Sequence, residues 1–239
     1  MEKNDPLVAA IPAPTASRPL LGLTVLVIED SRFACDALRL LCIRSGARIR
    51  RADSVRSARR HLRVYRPSVV IADLGLPDGS GADLIRELTG TDPRVDVVIG
   101  TSGDLNGEVE AMKAGADAFI PKPITSLAVF QQIILDNLPL ERRPSGLRKV
   151  SDEVITPDRM AFHDDMAHIA DVLTETEDEK ILDYAVQFLG GVARSVEDKK
   201  LEQAADDLAR VRAQGGSGSK EKASLTGLVK QRLAQKMAI

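Results

Sequence analysis

Glu29, Asp30, Asp73, Thr101 and Lys122 are the residues of this 239-residue chain whose types and placement could do chemistry together. Each stands at the end of a short apolar run: LTVLVI before Glu29 and Asp30, VVIA before Asp73, VDVVIG before Thr101 and AFIP before Lys122. Carboxylates gathered at one rim repel one another unless a cation joins them. Oxygen donors without His or Cys favour a hard ion, and Mg²⁺ suits the set because it keeps several waters and binds phosphate oxygens. A carboxylate beside such an ion can attack a phosphoryl donor and form an aspartyl phosphate. Lys122 would then neutralise charge on the phosphoryl oxygens, and Thr101 would hydrogen-bond one of them.

For these residues to meet, the apolar runs must be adjacent strands whose carboxyl ends share a rim. The pattern predicts that arrangement. Strands are expected at Leu23 to Ile28, Arg48 to Ala52, Ser68 to Ala72, Val95 to Ile99 and Ala118 to Ile120. Helical spacing follows each strand, near 34–42, 55–64, 82–88, 107–114 and 127–137. Strands without polar alternation belong to a parallel sheet covered on both faces, so the expected fold is α/β, a doubly wound five-stranded sheet of order 2-1-3-4-5 followed by a smaller all-α region. Ligands of such sheets bind outside the carboxyl ends of the strands, where the five residues stand.

Four segments, VLVIEDS at Val25 to Ser31, IADLGLPDGSG at Ile71 to Gly81, GTSGD at Gly100 to Asp104 and AFIPKP at Ala118 to Pro123, resemble the response-regulator receiver family. The resemblance spans about Leu23 to Leu138, and it implies a flavodoxin- and CheY-like sheet. It implies that Asp73 is the phosphoacceptor, that Glu29 and Asp30 are the acidic pair, and that the Gly75 carbonyl completes the metal site. It further implies that Thr101 is the switch hydroxyl, Phe119 the switch aromatic and Lys122 the lysine of the site. A sensor histidine kinase or phosphotransferase would be the donor, and the chain would be a self-phosphorylating switch rather than a turnover enzyme. Gly75 and Gly103, at positions that influence dephosphorylation in this family, offer no side chain.

The remainder divides into a Pro- and Ala-rich arm (1–20), the sheet domain (21–140), a polar linker (141–155), a helical region (156–214) and a Gly/Ser linker with an amphipathic basic tail helix (215–239). Thr156-Pro157 reads as the start of a helix carrying Phe162, Met166, Ile169 and Leu173. Thr176 with Glu179 reads as a capping box opening a second helix with Leu182, Ala185, Val186, Leu189 and Val192. The stripe then rephases near Glu197 to Lys200, giving a third helix with Leu201, Ala205 and Leu208.

Residues 185–210 also faintly resemble a histidine-phosphotransfer bundle, with Gln187 where the phosphorylated histidine would stand, which implies a degenerate phosphotransfer or docking module. His163 and His168 lack that context. Region 152–211 is acidic and has no arginine-rich recognition helix, so protein interaction, including a homodimer, is expected ahead of DNA-binding transcriptional regulation. A phosphate-sink adaptor is the further alternative. The tail lacks aromatic anchors, which favours a partner groove over a membrane surface.

A formal charge of −2, 44% hydrophobic and 28% charged residues describe a globular chain with no global attraction to nucleic acid or anionic lipid. Cys35 and Cys42, seven apart on one helix face, read as core packing in a reducing compartment. No signal-peptide pattern and no apolar run near the roughly 20 residues that span a bilayer is present, so a cytoplasmic location is expected.

Overall fold

A computed structural model of the chain describes residues 13–144, 150–176 and 178–235. The first twelve residues of the arm, Ser145 and Gly146 of the linker, and Met237 of the tail lie outside the described residues. Strands β1 (Thr24–Ile28), β2 (Arg48–Ala52), β3 (Val69–Asp73), β4 (Val97–Ser102) and β5 (Ala118–Pro121) form one parallel sheet of order 2-1-3-4-5. Helices α1 (Arg32–Ser45), α2 (Val55–Val64), α3 (Gly81–Thr89), α4 (Gly107–Lys113) and α5 (Leu127–Asn137) connect and cover it.

Alternation of side chains along each strand divides the sheet's interior into two cores. Val25, Val27, Val69, Ile71, Val97 and Ile99 pack under α1 and α5, with Leu38, Leu41, Phe130 and Ile134. Leu26, Ile28, Val70, Ala72 and Val98 face the other way, toward Ala58, Leu84, Ile85 and Ala111 of α2, α3 and α4. Every residue of β3 is buried, as a central strand covered on both sides requires. Both cysteines are free and buried in the first core, and burial pushes each thiol up to about 12.

The Gly/Pro segment after β3, a loop by its composition, contains a two-residue antiparallel hairpin pairing Gly75–Leu76 with Gly79–Ser80. Its return is so close that a Cβ at Gly81 would lie 1.9 Å from the Asp73 carbonyl oxygen. Only glycine permits α3 to begin there.

At both borders of this half the chain is better anchored than its polarity suggests. Leu20, the last residue assigned to the arm, is fully buried, and its N–H donates to the Ser45 carbonyl at 3.0 Å. In the linker, Leu127 N–H donates to the Glu153 carbonyl at 3.1 Å and Ile155 N–H to the Thr125 carbonyl at 2.8 Å, with Ile155 in the core. Two backbone bonds and one apolar anchor therefore strap residues 153–155 to the start of α5.

Helices α6 (Arg159–Glu175), α7 (Glu179–Ser195), α8 (Lys199–Ala213) and α9 (Ser219–Ala234) make a bundle. Met166, Ile169, Leu173, Leu182, Leu189, Val192, Leu201 and Leu208 form its core. Composition sets the tail helix apart from this region, but α9 closes the core with Leu225 and Val229, both fully buried. The Gly/Ser segment before it is the tight turn that makes this geometry: Gly215 and Gly218 have φ of 78° and 60°.

Helix starts also differ from expectation. Asp158, not Thr156, caps α6 by accepting from Met160 N–H at 2.9 Å. Asp178 caps α7 by accepting from Lys180 N–H at 2.8 Å, while Thr176 ends α6. In each case a carboxylate nearer the first turn takes the exposed N–H groups and adds a favourable charge at the helix N-terminus. The rephasing lies where the stripe slips, with Glu197 at φ 57° between α7 and α8. No helix among the described residues is long and apolar enough to cross a membrane.

Candidate functional site

Parallel strands of similar length end at one level, and this brings the acidic residues together. Glu29 and Asp30 leave β1, Asp73 ends β3 opposite Thr101 of β4, and Lys122 follows β5. Carboxylate oxygens of Glu29, Asp30 and Asp73 lie within 4.8 Å of one another. The Lys122 ammonium sits between two of them, with Nζ 2.7 Å from Glu29 Oε2 and 2.9 Å from Asp73 Oδ2.

The side chains of Glu29, Asp73 and Lys122 are largely withdrawn from water, and Asp30 is half-buried. Burial raises the Glu29 carboxyl well above its ordinary range; Lys122 opposes that rise, and Asp73 and Asp30 add to it. Asp30 is raised to about 6, first by burial and then by the Asp73 charge. Burial alone would push the Lys122 ammonium down, but Asp73 and Glu29 together hold it above its ordinary value. The buried carboxylates of Glu29 and Asp73 and the half-buried one of Asp30 stand against one ammonium. All three are hard oxygen donors, a set that fits Mg²⁺ and offers no soft ligand for a thiophilic metal.

The remaining expected residues lie nearby in distinct settings. Thr101 is fully buried beside Asp73 in the sheet, and its hydroxyl donates to the Ile120 carbonyl at 2.7 Å. The Phe119 ring is half-buried against the second core and packs over Gly100 and Gly107, where added Cβ atoms would approach it to 3.5 and 3.1 Å. Gly75 N–H points at Asp73 Oδ1 across 3.4 Å, which puts the backbone of residue 75 at the mouth of the acidic cluster.

Residues 25–134 match the response regulator receiver domain family. The N-terminal half is a receiver domain. Over 126 residues the chain is 32% identical to the virulence transcriptional regulatory protein PhoP of Salmonella typhimurium, covering 52% of this chain and 54% of PhoP. The chain spans about half the length of the curated relatives it matches. Among solved structures, the signal receiver domain of a signal transduction histidine kinase from Syntrophus aciditrophicus is 27% identical, with 52% of this chain and 97% of that one covered at a TM-score of 0.46. The receiver domain of a sensor histidine kinase from Pseudomonas aeruginosa PAO1, solved with a magnesium ion coordinated in its active site cleft, is 23% identical, with 48% of this chain and 95% of that one covered at a TM-score of 0.44. The receiver family is a phosphoryl-accepting signalling switch, and its acidic pocket binds Mg²⁺.

What sequence patterns do not reveal is that the helical bundle sits on this rim of the receiver. Asp165 of α6 is 2% exposed and accepts from Ser31 Oγ at 2.7 Å, Arg32 N–H at 2.8 Å and Phe33 N–H at 3.1 Å, at the start of α1. Arg32 pairs with Asp164 at 2.6 Å, and the Phe33 and Phe162 rings meet edge to face with centroids 6.1 Å apart. From α7, the Tyr184 hydroxyl donates to Asp30 Oδ2, and Arg194 Nη1 donates to the Gly103 carbonyl. Burial, then the neighbouring Asp30 charge, raises the Tyr184 phenol, so it stays a donor. Between α7 and the acidic cluster lies a cleft of about 520 Å³, lined by Asp73, Gly75, Lys122, Gln187 and Arg194 among others.

One of these contacts has a readable signal. Asp165 lies three residues after Phe162 and four before Ile169, which places an acid on the apolar face of its own helix. Tyr184, Gln187, Gly191 and Arg194 recur at helical spacing on a second face of α7, but a polar stripe is what any solvated helix shows.

Proposed function

We propose that this protein is a phosphorylation-dependent switch in which Asp73 accepts a phosphoryl group from a sensor histidine kinase or phosphotransferase. The observation that carries the reading is the packing of Asp73 against Lys122, Glu29 and Asp30 at the strand ends. Glu29, Asp30, Asp73 and the Gly75 carbonyl would hold Mg²⁺, which when bound lowers the charge repulsion between carboxylate nucleophile and phosphoryl donor. Lys122, already an ion-pair partner of Asp73, meets the oxygens of the incoming group. Thr101 turns its hydroxyl from the Ile120 carbonyl toward them, and the Phe119 ring follows into the space released. The result is a shift between two packings of the β4, α4 and β5 surface.

The output is protein interaction through the helical bundle, whose first partner is the receiver itself. A docked bundle covers the acceptor, so phosphorylation and docking are linked, and the change in docking is the signal. A second reading, a phosphate sink with a degenerate phosphotransfer bundle, is favoured by one observation: α7 presents Gln187, not a histidine, beside Gly75. Direct DNA binding has no such support. The test is incorporation of label from acetyl phosphate in the presence of Mg²⁺. The wild-type protein should take up one phosphoryl group and Asp73→Asn none; labelling of the Asn variant would overturn the assignment.

A further inference from the structure

The receiver has glycine at 75 and at 103, two positions beside the acceptor where it supplies no side chain. Helix α7 supplies side chains to both places. A Cβ added at Gly75 would lie 2.8 Å from Gln187 Nε2 and 3.3 Å from its Oε1. A Cβ added at Gly103 would lie 2.8 Å from Arg194 Nη1 and 3.4 Å from the Gly191 Cα. A side chain at either position would require the end of Gln187 or Arg194 to move aside, so these two side chains occupy the space that the glycines leave.

We propose that the bundle is a built-in phosphatase for its own receiver, and that Gln187 is the catalytic residue that holds the attacking water. The proposal rests on Asp73 being the phosphoacceptor. Gln187 is exposed to the cleft and makes no hydrogen bond to any other described residue, so its carbonyl and its amino group are both available. A carboxamide there can accept from a water and donate to a phosphoryl oxygen at once, fixing the water against phosphorus. Being neutral, it does not repel the phosphoryl group as a carboxylate would.

Charge is arranged to suit the reaction. Lys122 approaches from the receiver side and Arg194 from the bundle side of the same cleft. Arg194 is held in place by Glu202 and Asp206 at 3.4 and 3.5 Å as well as by the Gly103 carbonyl. Tyr184, bonded to Asp30 one turn earlier on α7, sets the height at which Gln187 stands over the site.

The step balances without any further reactant. The water oxygen forms a bond to phosphorus as the bond from phosphorus to the Asp73 oxygen breaks, and the electron pair of that bond returns to the Asp73 carboxylate. One proton of the water remains on the released hydrogen phosphate and the other passes to solvent. An acyl phosphate has a good leaving group, so positioning the water is the main contribution left for the protein to make.

The experiment follows the decay of the labelled protein with its bundle in place. Protein phosphorylated from acetyl phosphate is freed of donor, and release of inorganic phosphate is timed for wild type, Gln187→Ala and Gln187→Asn, with the products analysed after decay in ¹⁸O-water. Gln187 is exposed on a helix, so the alanine variant should melt with the wild type. The expected result is labelling of the alanine variant to at least the wild-type level, a phosphoryl lifetime lengthened by about ten- to a hundredfold in that variant, and an intermediate value for asparagine. One ¹⁸O should appear in the released phosphate and none in Asp73. An unchanged lifetime would overturn the proposal, and a shortened one would show that Gln187 shields the phosphoryl group instead. Failure of the wild type to label, or labelling of Asp73→Asn, would bring down the phosphoacceptor assignment and this proposal with it.

Discussion

The receiver and the bundle put charge to opposite uses. In the receiver, like charges are gathered together: Glu29 and Asp73, both buried, share one rim with the half-buried Asp30, and a single ammonium pairs with the first two. In the bundle, opposite charges are paired near the surface, as in Arg232 with Asp198 and Arg212 with Asp183. A cluster of the first kind costs stability and exists for chemistry, whereas pairs of the second kind add little and orient helices. Between the two regions stands Asp165, a buried acid answered by hydrogen-bond donors instead of a neighbouring cation within its own helix.

Three changes test that contrast. The largest effect is expected at Lys122. In Lys122→Met, Glu29 and Asp73 lose the charge that compensates them, and urea unfolding should show a receiver weakened by about 3–5 kcal/mol. Added Mg²⁺ should restore part of the loss by binding the folded state. A variant as stable as wild type without Mg²⁺ would mean that the cluster is far better hydrated than its burial implies.

Asp165→Ala comes next, since it leaves three donors at the start of α1 without their acceptor. A loss of about 1–3 kcal/mol should fall on the docking of the bundle and spare both cores. Faster amide hydrogen exchange at Arg32 and Phe33, with protection in β3 retained, is the expected reading; unchanged exchange at both amides would remove Asp165 from the interface.

The smallest effect belongs to Asp198, which caps α8 by accepting from Leu201 N–H at 3.1 Å and pairs with Arg232 of α9. Asp198→Ala should cost the bundle about 1 kcal/mol. Its hydrogen bond with Arg232 holds the carboxyl below its ordinary value. The contribution is therefore complete above the unfolded carboxyl's value of about 3.9, and fades as pH falls through the lower folded value. Wild type and variant should converge in strong acid; a gap that persists there would point to the alanine's effect on helix packing instead.

The same contrast explains what can be read from the residues alone. Sheet order, all five strands and the meeting of Asp73 with Glu29, Asp30 and Lys122 are legible because a parallel sheet aligns strand ends, so an acid after an apolar run has one place to go. Helix α9 is misplaced by its composition because glycine and serine mark flexible linkers and tight turns alike, and only the burial of Leu225 and Val229 distinguishes them. The docking of α7 is invisible for a different reason. Tyr184, Gln187 and Arg194 have no apolar signature. Their counterparts at Asp30, Gly75 and Gly103 are, in turn, an acid already assigned another task, an absent side chain and a backbone carbonyl.

The strap at Glu153 to Ile155 gives the bundle a short leash. Tethers of this kind hold two surfaces at an effective concentration on the order of millimolar. An external phosphodonor must compete with that local concentration whatever the abundance of the protein, and α7 returns to the acceptor by a first-order process once the donor leaves. The persistence of the signal would then be a property of each single molecule, the same in a sparse cell as in a crowded one. A phosphatase on a separate chain would instead make it vary with expression.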